Sequence, residues 1–266
     1  MNEYIKVSDG SGGNRTIYFE ASATYERLFA DKHRVSGLFL FNMREYNDNR
    51  PGSLIAAIPH RNQGIAGRAT YSFMDKYFIE GNFGYNGSEN FAPGHRFGFF
   101  PSVALGYMIS NERFWKPMSN VISSLKFKGS YGKVGNDEIG GSRRFAFNSE
   151  MQNSGSFMFG DNTNHLSGIA TGYPGNPNVS WEEATKLNVG VELELLNVLK
   201  LNIDYFHEKR SDILIQRTSL PAITGLNQQP FANMGIMTNQ GVDGTLEVNH
   251  NIGKVNYRVY GNFTYT

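Results

Sequence analysis

The chain has 266 residues, a formal net charge of +1, 30 Gly, 20 Phe, 14 Tyr and no Cys. That charge gives no electrostatic case for nucleic acid as a partner, and without Cys there is neither a disulfide framework nor a thiolate ligand or nucleophile. No run approaches about 18 consecutive apolar residues, which excludes a transmembrane helix, whereas the mean hydropathy of −0.41 is also that of a barrel with a polar interior.

Alternation of apolar and polar residues recurs about ten times along the chain. The first apolar set is Ile17, Phe19, Ala21, Ala23 and Tyr25, and the second Val35, Gly37, Phe39, Phe41 and Met43. Ile65 to Phe73, Tyr77 to Tyr85, Phe99 to Tyr107 and Leu125 to Tyr131 continue it, each at every second residue. Residues 185–205 read as a hairpin, with Leu187, Val189, Val191, Leu193 and Leu195 before a turn at Leu196-Asn197 and Leu199, Leu201 and Ile203 after it. Val242 to Val248 and Tyr257 to Tyr265 close the series, and no helical period stands out. The connections alternate in length. Short ones lie near Asp31-Lys32, Asp75-Lys76, Leu196-Asn197 and 251–253, with a medium one at 110–120; long ones cover 47–62, 87–96, 134–182 and 211–234. This predicts an all-β, antiparallel up-and-down meander with one plain rim and one elaborated rim.

Two features separate a membrane barrel from a soluble sandwich. The alternation persists for about 10–13 residues, longer than the usual soluble strand of about 5–6 and enough to cross a bilayer core when tilted. Charge also avoids the apolar phase, as it would the core face of a soluble sandwich, so strand length and the alternating loop lengths decide for the barrel. Arg68, Glu80, Lys126, Lys128, Lys186, Glu192, Asp204 and Arg258 all fall in the polar phase and are expected to line a lumen. Phe39, Phe83, Phe127, Val189, Val191, Leu201 and Val259 fall in the apolar phase and are expected to face lipid. Arg27, Glu45 and Lys209 break the rule only near strand ends, where long side chains reach the interface. Leu38, Leu40, Phe78, Met108 and Phe206 are apolar exceptions in the polar phase. The chain begins without a signal region, and its last residues, GNFTYT, stop inside an alternating run. It therefore reads as part of a longer polypeptide.

Five stretches resemble the barrel of SusC/RagA-type TonB-dependent transporters of Bacteroidota. They are RATYSFMDKYFIEGNFGYNGSENFAPGHRFGFFPSVALGYMISNE (68–112), LKFKGSYGKVGN (125–136), NPNVSWEEATKLNVGVE (176–192), DYFHEKRSDILIQ (204–216) and NQGVDGTLEVN (239–249). They occur in the family's order and span nearly the whole chain. NGSEN at 86–90 departs from the family's usual run in a presumed external loop. The resemblance implies that residues 1–266 are about ten consecutive strands of an outer-membrane barrel of about 22, with the lumen-filling plug and the C-terminal strands absent from the chain. It implies TonB-driven import of oligosaccharides or peptides, a SusD-like surface lipoprotein as a lid, and outer-membrane lipid around the wall. Rival readings are a surface-associated β-rich glycan-binding module and a passive porin.

Nothing in the sequence points to catalysis or a cofactor. The six His residues are scattered, with no metal-ligand spacing. GSGG (10–13) neither follows a strand nor opens a helix, and GDNTNH (160–165) lacks the spacing of a calcium loop. The binding candidates lie in long loops that mix aromatics with amides: Asn153, Phe157, Phe159 and Asn162 in one, Phe231 and Asn233 in another. They are expected to contact substrate or lid.

Overall fold

The computed structural model describes residues 12–50, 52, 54–138, 144–160, 164–253 and 255–266. Twelve strands are present among them. In chain order they are β1 (Asn14–Phe29), β2 (His33–Asp48), β3 (His60–Phe73), β4 (Tyr77–Ser88), β5 (Phe97–Met108) and β6 (Ile122–Asn136), then β7 (Met151–Phe159), β8 (Asn164–Thr171), β9 (Glu182–Leu195), β10 (Leu199–Gln216), β11 (Phe231–Ile252) and β12 (Val255–Tyr265). Ten of them form one antiparallel sheet in the order β1-β2-β3-β4-β5-β6-β9-β10-β11-β12, and β7-β8 is a separate hairpin inside the β6–β9 connection.

Apart from irregularities near strand ends, at Ile122/Ser124 and between Arg210 and Leu214, the register carries the alternation from strand to strand. One row runs Tyr77–Tyr107–Phe127–Val191–Ile203–Gly244–Phe263, and another Ala23–Phe39–Gly67–Phe83–Pro101. A one-residue slip anywhere would send a strand's apolar set to the other face. Instead all ten apolar sets share one face and all ten polar sets the other. Among the described residues no protein layer covers the apolar face: Phe39 is 51% exposed, Phe127 45% and Val259 60%. In a soluble sandwich this face would be the core.

The plain rim is built from two-residue turns. Ala30-Asp31, Met74-Asp75 and Leu196-Asn197 all have φ between 49° and 55°, and each turn is closed by a backbone bond across it, from Lys32 N to Phe29 O, Lys76 N to Phe73 O and Val198 N to Leu195 O. Two successive positive φ values match the right-handed twist of the flanking strands. Neighbouring turns also bond sideways, Met74 N to Lys32 O at 2.7 Å and Met108 N to Lys76 O at 2.7 Å. The β5–β6 connection is bulkier. Two short 3-10 turns, Ile109–Asn111 and Arg113–Met118, bury Trp115, whose indole donates to Ile122 O at 3.1 Å. Glu112 there accepts from Lys76 Nζ at 2.7 Å and Tyr77 Oη at 2.9 Å, and the Lys76 ammonium beside it holds its carboxyl below the usual range.

Several expectations need correction. The sheet strands run from 11 to 22 residues, longer than the alternation alone showed. The β10–β11 hairpin extends well into the presumed 211–234 loop, because the pairing continues past an irregularity at Arg210/Ile213 to Gln216↔Phe231. There the chain relaxes its alternation and Asp212 takes a φ of 57°, so the period signal fades before the strand ends. Phe231 and Asn233 therefore lie in β11 and not in a loop. The 134–182 connection is likewise not all loop, since it holds β7 and β8. Asn162 lies outside the described residues, as do parts of the 10–13 and 160–165 stretches. Among the described residues helical structure is limited to short pieces such as α1 (Leu54–Ala57).

Candidate functional site: the polar wall and its loop end

The polar face carries a ladder of ion pairs. Arg68 meets Glu80 at 3.7 Å, Lys126 meets Glu192 at 3.7 Å, Lys128 bridges Glu192 at 3.2 Å and Asp204 at 3.1 Å, Lys186 meets Glu208 at 3.3 Å, and Arg258 meets Glu247 at 3.0 Å. Arg68, Glu80, Lys126, Lys128, Lys186, Glu192, Asp204 and Arg258 share this face of the sheet, and Lys126, Lys128, Glu192 and Asp204 form one cluster.

The cluster depends on a glycine. One row across the face runs Arg34–Ser72–Phe78–Gly106–Lys128–Gly190–Asp204–Asp243. Lys128 and Asp204 are therefore two strands apart, with Gly190 between them. A Cβ on Gly190 would collide with the Asp204 carboxylate and come within 2.8 Å of Lys128 Cε. The pair closes over the space a side chain would fill. The alternation placed Gly190 in the polar phase but gave no sign of this clasp, which exists only once β6, β9 and β10 are in register.

This row floors a groove of about 630 Å³, lined by Ser72, Phe78, Gly106, Lys126, Lys128 and Asp204 among others. Two buried polar atoms here have no partner, Ser72 Oγ and Asp204 Oδ1; the residues are 7% and 6% exposed. Buried polar groups are normally hydrogen-bonded, so the groove offers unused bonding capacity at both its ends.

Toward the loop end the polar face becomes apolar and dry. Phe91, Phe100, Val179, Trp181 and Leu214 form a cluster, with Phe91 and Val179 fully buried. Trp181 packs at 5.3 Å from both Phe91 and Phe100 and donates its indole N–H to Arg96 O at 3.2 Å. The Glu182 carboxylate, 8% exposed, accepts from Leu214 N at 3.2 Å and Asn136 Nδ2 at 3.1 Å. This cluster pins the segment around Phe91 and the segment just before β9 to the wall. A second clasp joins loops directly: the Arg144 guanidinium donates to Ile58 O at 2.6 Å and Pro59 O at 2.8 Å, and burial pushes its pKa down. Sequence reasoning missed this platform, because its members come from four separate segments.

The loop candidates separate. Asn233 donates to Ser180 O at 2.8 Å and Asp212 O at 2.7 Å and accepts from Ser180 N at 3.0 Å. Its amide staples β11 to the segment before β9. Phe231 packs against the buried cluster and lies 5.6 Å from Tyr173. Asn153 and Phe157 are on β7, and Phe157 is 74% exposed; the β7 backbone continues to Phe159, paired with Asn164. Met151, Leu166 and Ile169 on the same hairpin are 60% to 72% exposed. Among the described residues no group of His, Asp and Glu is placed to hold a metal ion.

A long-stranded antiparallel wall with a bare apolar face and a charged, recessed polar face is the wall of an outer-membrane β-barrel. Comparison with known proteins narrows this. Residues 4–266 match the family described as TonB dependent receptor-like, beta-barrel, and the chain belongs to that family, which is one of outer-membrane transporters. It is 30% identical over 244 residues to TonB-dependent receptor P39 of Formosa agariphila, covering 82% of this chain and 22% of that protein. It is 31% identical over 179 residues to TonB-dependent receptor SusC of Bacteroides thetaiotaomicron, covering 66% of this chain and 17% of that one. The chain thus spans about a fifth of the length of these relatives. Among solved structures, the RagAB peptide importer in its closed-closed state superimposes with a TM-score of 0.75 at 24% identity, over 95% of this chain and 30% of that one. The siderophore receptor PirA from Pseudomonas aeruginosa gives 0.57 at 11% identity, over 96% and 43%. These two likenesses show the shared barrel fold.

Proposed function

We propose that this chain is a stretch of the barrel wall of a TonB-driven importer of oligosaccharides or peptides, working with a SusD-like lipoprotein lid. Its mechanism is gated passage, not chemistry. The observation that carries the reading is the single uncovered apolar face kept in register over ten strands. In this reading Phe39, Phe83, Phe127, Val189, Val191, Leu201 and Val259 face lipid. Arg68, Glu80, Lys126, Lys128, Lys186, Glu192, Asp204 and Arg258 face the lumen. The plain rim of two-residue turns is periplasmic and the elaborated rim external. The unpaired Ser72 and Asp204 atoms suit a lumen filled by polypeptide, which supplies both donors and acceptors, better than an open porin channel. The exposed apolar β7-β8 hairpin, with Phe157 and Ile169 outermost, supports a lid contact beyond the rigid Trp181 platform. The names SusC and peptide importer among the similar proteins support nutrient uptake as the purpose.

The test uses the full-length receptor in its own outer membrane. Cysteine at Phe127 should react with a lipid-soluble maleimide and cysteine at Lys126 with an impermeant aqueous one, although the two are adjacent. Deletion of the gene should abolish TonB-dependent uptake of one class of oligosaccharide or peptide. Equal aqueous labelling of both cysteines would sink the wall assignment, and unchanged uptake of every oligosaccharide and peptide offered would sink the importer.

A further inference from the structure

A second recess lies on the apolar face, at the loop end of β1 to β5. Its volume is about 400 Å³, within the range of about 300–1,000 Å³ in which proteins hold small molecules. Two rows of the register build it. The outer row is Ile17–Glu45–Arg61, continued by Glu89, whose N–H bonds to Arg61 O at 3.4 Å. The row beneath is Phe19–Met43–Gln63–Gly87–Phe97. Gly87 has no side chain, and the Phe97 ring leans over it while stacking on Tyr85 at 5.1 Å. The recess therefore has a floor of Gln63 and Gly87 and walls of Ile17, Met43 and Phe97.

Its lip is charged. Arg15 meets Glu45 at 3.8 Å, Glu45 meets Arg61 at 2.8 Å, and Arg61 meets Glu89 at 3.7 Å. Both arginine side chains stay well exposed, at 69% and 52%. Gln63 stands on the same face as Met43 and Phe97, just inside the charged lip, and among the described residues its amide has no hydrogen-bond partner. In water that would cost nothing. Against hydrocarbon an unpaired amide is expensive.

We propose that this recess holds one acylated, phosphate-bearing lipid of the loop-side leaflet. The acyl chain lies along Ile17, Met43 and Phe97, the ester or amide linkage meets the Gln63 amide, and the phosphate sits on Arg61 and Arg15. The inference rests on the assignment of the apolar face to lipid. Two features select this occupant. The recess is continuous with the apolar band, so a chain enters it without leaving hydrocarbon. Arg61 stands one row above the floor and Arg15 one row further out, at the depth where an anionic head would emerge, and guanidinium binds phosphate with two parallel bonds.

The test uses the full-length receptor purified from its membrane, with native mass spectrometry to count retained lipid. Synthetic lipid A and its dephosphorylated form are then added back as probes. Wild type should retain one lipid per receptor and bind the phosphorylated probe at least about tenfold more tightly, a difference of about 1.4 kcal/mol. Gln63→Trp, which fills the recess, should lose the retained lipid. Gln63→Leu, which keeps the space, should lower retention without abolishing it. Arg15→Gln with Arg61→Gln should bind both probes alike. Full retention in Gln63→Trp, or equal binding of the two probes by wild type, would overturn the proposal. Heat-modifiable gel migration separates unfolded variants from folded ones. The Phe127 and Lys126 cysteine labels distinguish failure of this site from failure of the wall assignment.

Discussion

Replacing Lys128 with Met tests the glycine-floored clasp on the polar wall. The ammonium lies 3.1 Å from Asp204 and 3.2 Å from Glu192. At 3.1 Å and an effective dielectric constant of about 20, the Lys128–Asp204 attraction is about 5 kcal/mol before desolvation is counted. Glu192 keeps Lys126 as a partner at 3.7 Å, but Asp204 is 6% exposed and its second carboxylate oxygen already lacks a bond. Lys128→Met thus strands a buried charge, a loss of about 3–5 kcal/mol in fully buried pairs; with the Lys128 side chain 30% exposed, the low end, about 3 kcal/mol, is expected. Adding Asp204→Leu removes the stranded charge and should return the barrel to within about 1 kcal/mol of wild type. The assay is urea unfolding of the full-length receptor in lipid vesicles, read by tryptophan fluorescence. If Lys128→Met alone is neutral, or if the double variant is no more stable than the single, the clasp does not contribute as described.

Gly190→Ala acts on the same pair from the other side, placing a methyl group where the Asp204 carboxylate now lies; it should destabilise by about 1–3 kcal/mol in the same unfolding assay, as overpacking does. Trp181→Ala removes the centre of the loop-end cluster and should cost about 3–5 kcal/mol, with faster amide exchange in 89–96 and 172–181 and little change at the turn rim. At that rim, Leu196→Asn puts a residue that tolerates a positive φ at a position held at 54° and should stabilise by about 0.5–1 kcal/mol, whereas Leu196→Val should destabilise. Glu112 supplies a pH test. Lys76 holds its carboxyl below the usual range, so its contribution is present above the ordinary glutamate pKa and is lost as pH falls through the lowered value. Protection of the 109–118 amides, taken relative to their intrinsic exchange rate at each pH, should therefore fall on acidification, and Glu112→Gln should remove that pH dependence.

A pattern on the apolar face bears on how such long strands keep their register. Gly67, Gly87 and Gly244 each face a phenylalanine on the neighbouring strand, Phe83, Phe97 and Phe263 respectively, and each ring lies over the glycine where a Cβ would sit. Glycine alone weakens a strand, and an aromatic ring across from it restores packing and marks one register as preferred. Aromatic stacking at the turn rim, such as Tyr77 on Tyr107 at 5.1 Å, adds to this.

Much was legible in the sequence by itself. Residues such as Val189, Val191, Lys186 and Glu192 could be given opposite faces because a strand has a side-chain period of two, and a local period survives in one dimension. The tight turns at Asp31, Asp75 and Asn197 were legible because short connections interrupt that period abruptly. Their exact form was not, since Ala30, Met74 and Leu196 have no preference for positive φ and adopt it because strand twist demands it. The tertiary structure alone decided which residues meet across strands. It set Lys128 over Gly190 onto Asp204, gathered Phe91, Phe100, Val179, Trp181 and Leu214 from four segments, and turned Asn233 from an apparent loop contact into an internal staple. It also placed Gln63, Arg61 and Phe97 around one recess. These contacts depend on register across three or more strands, and register is a sum over all the pairings of a sheet, which no single stretch of chain encodes.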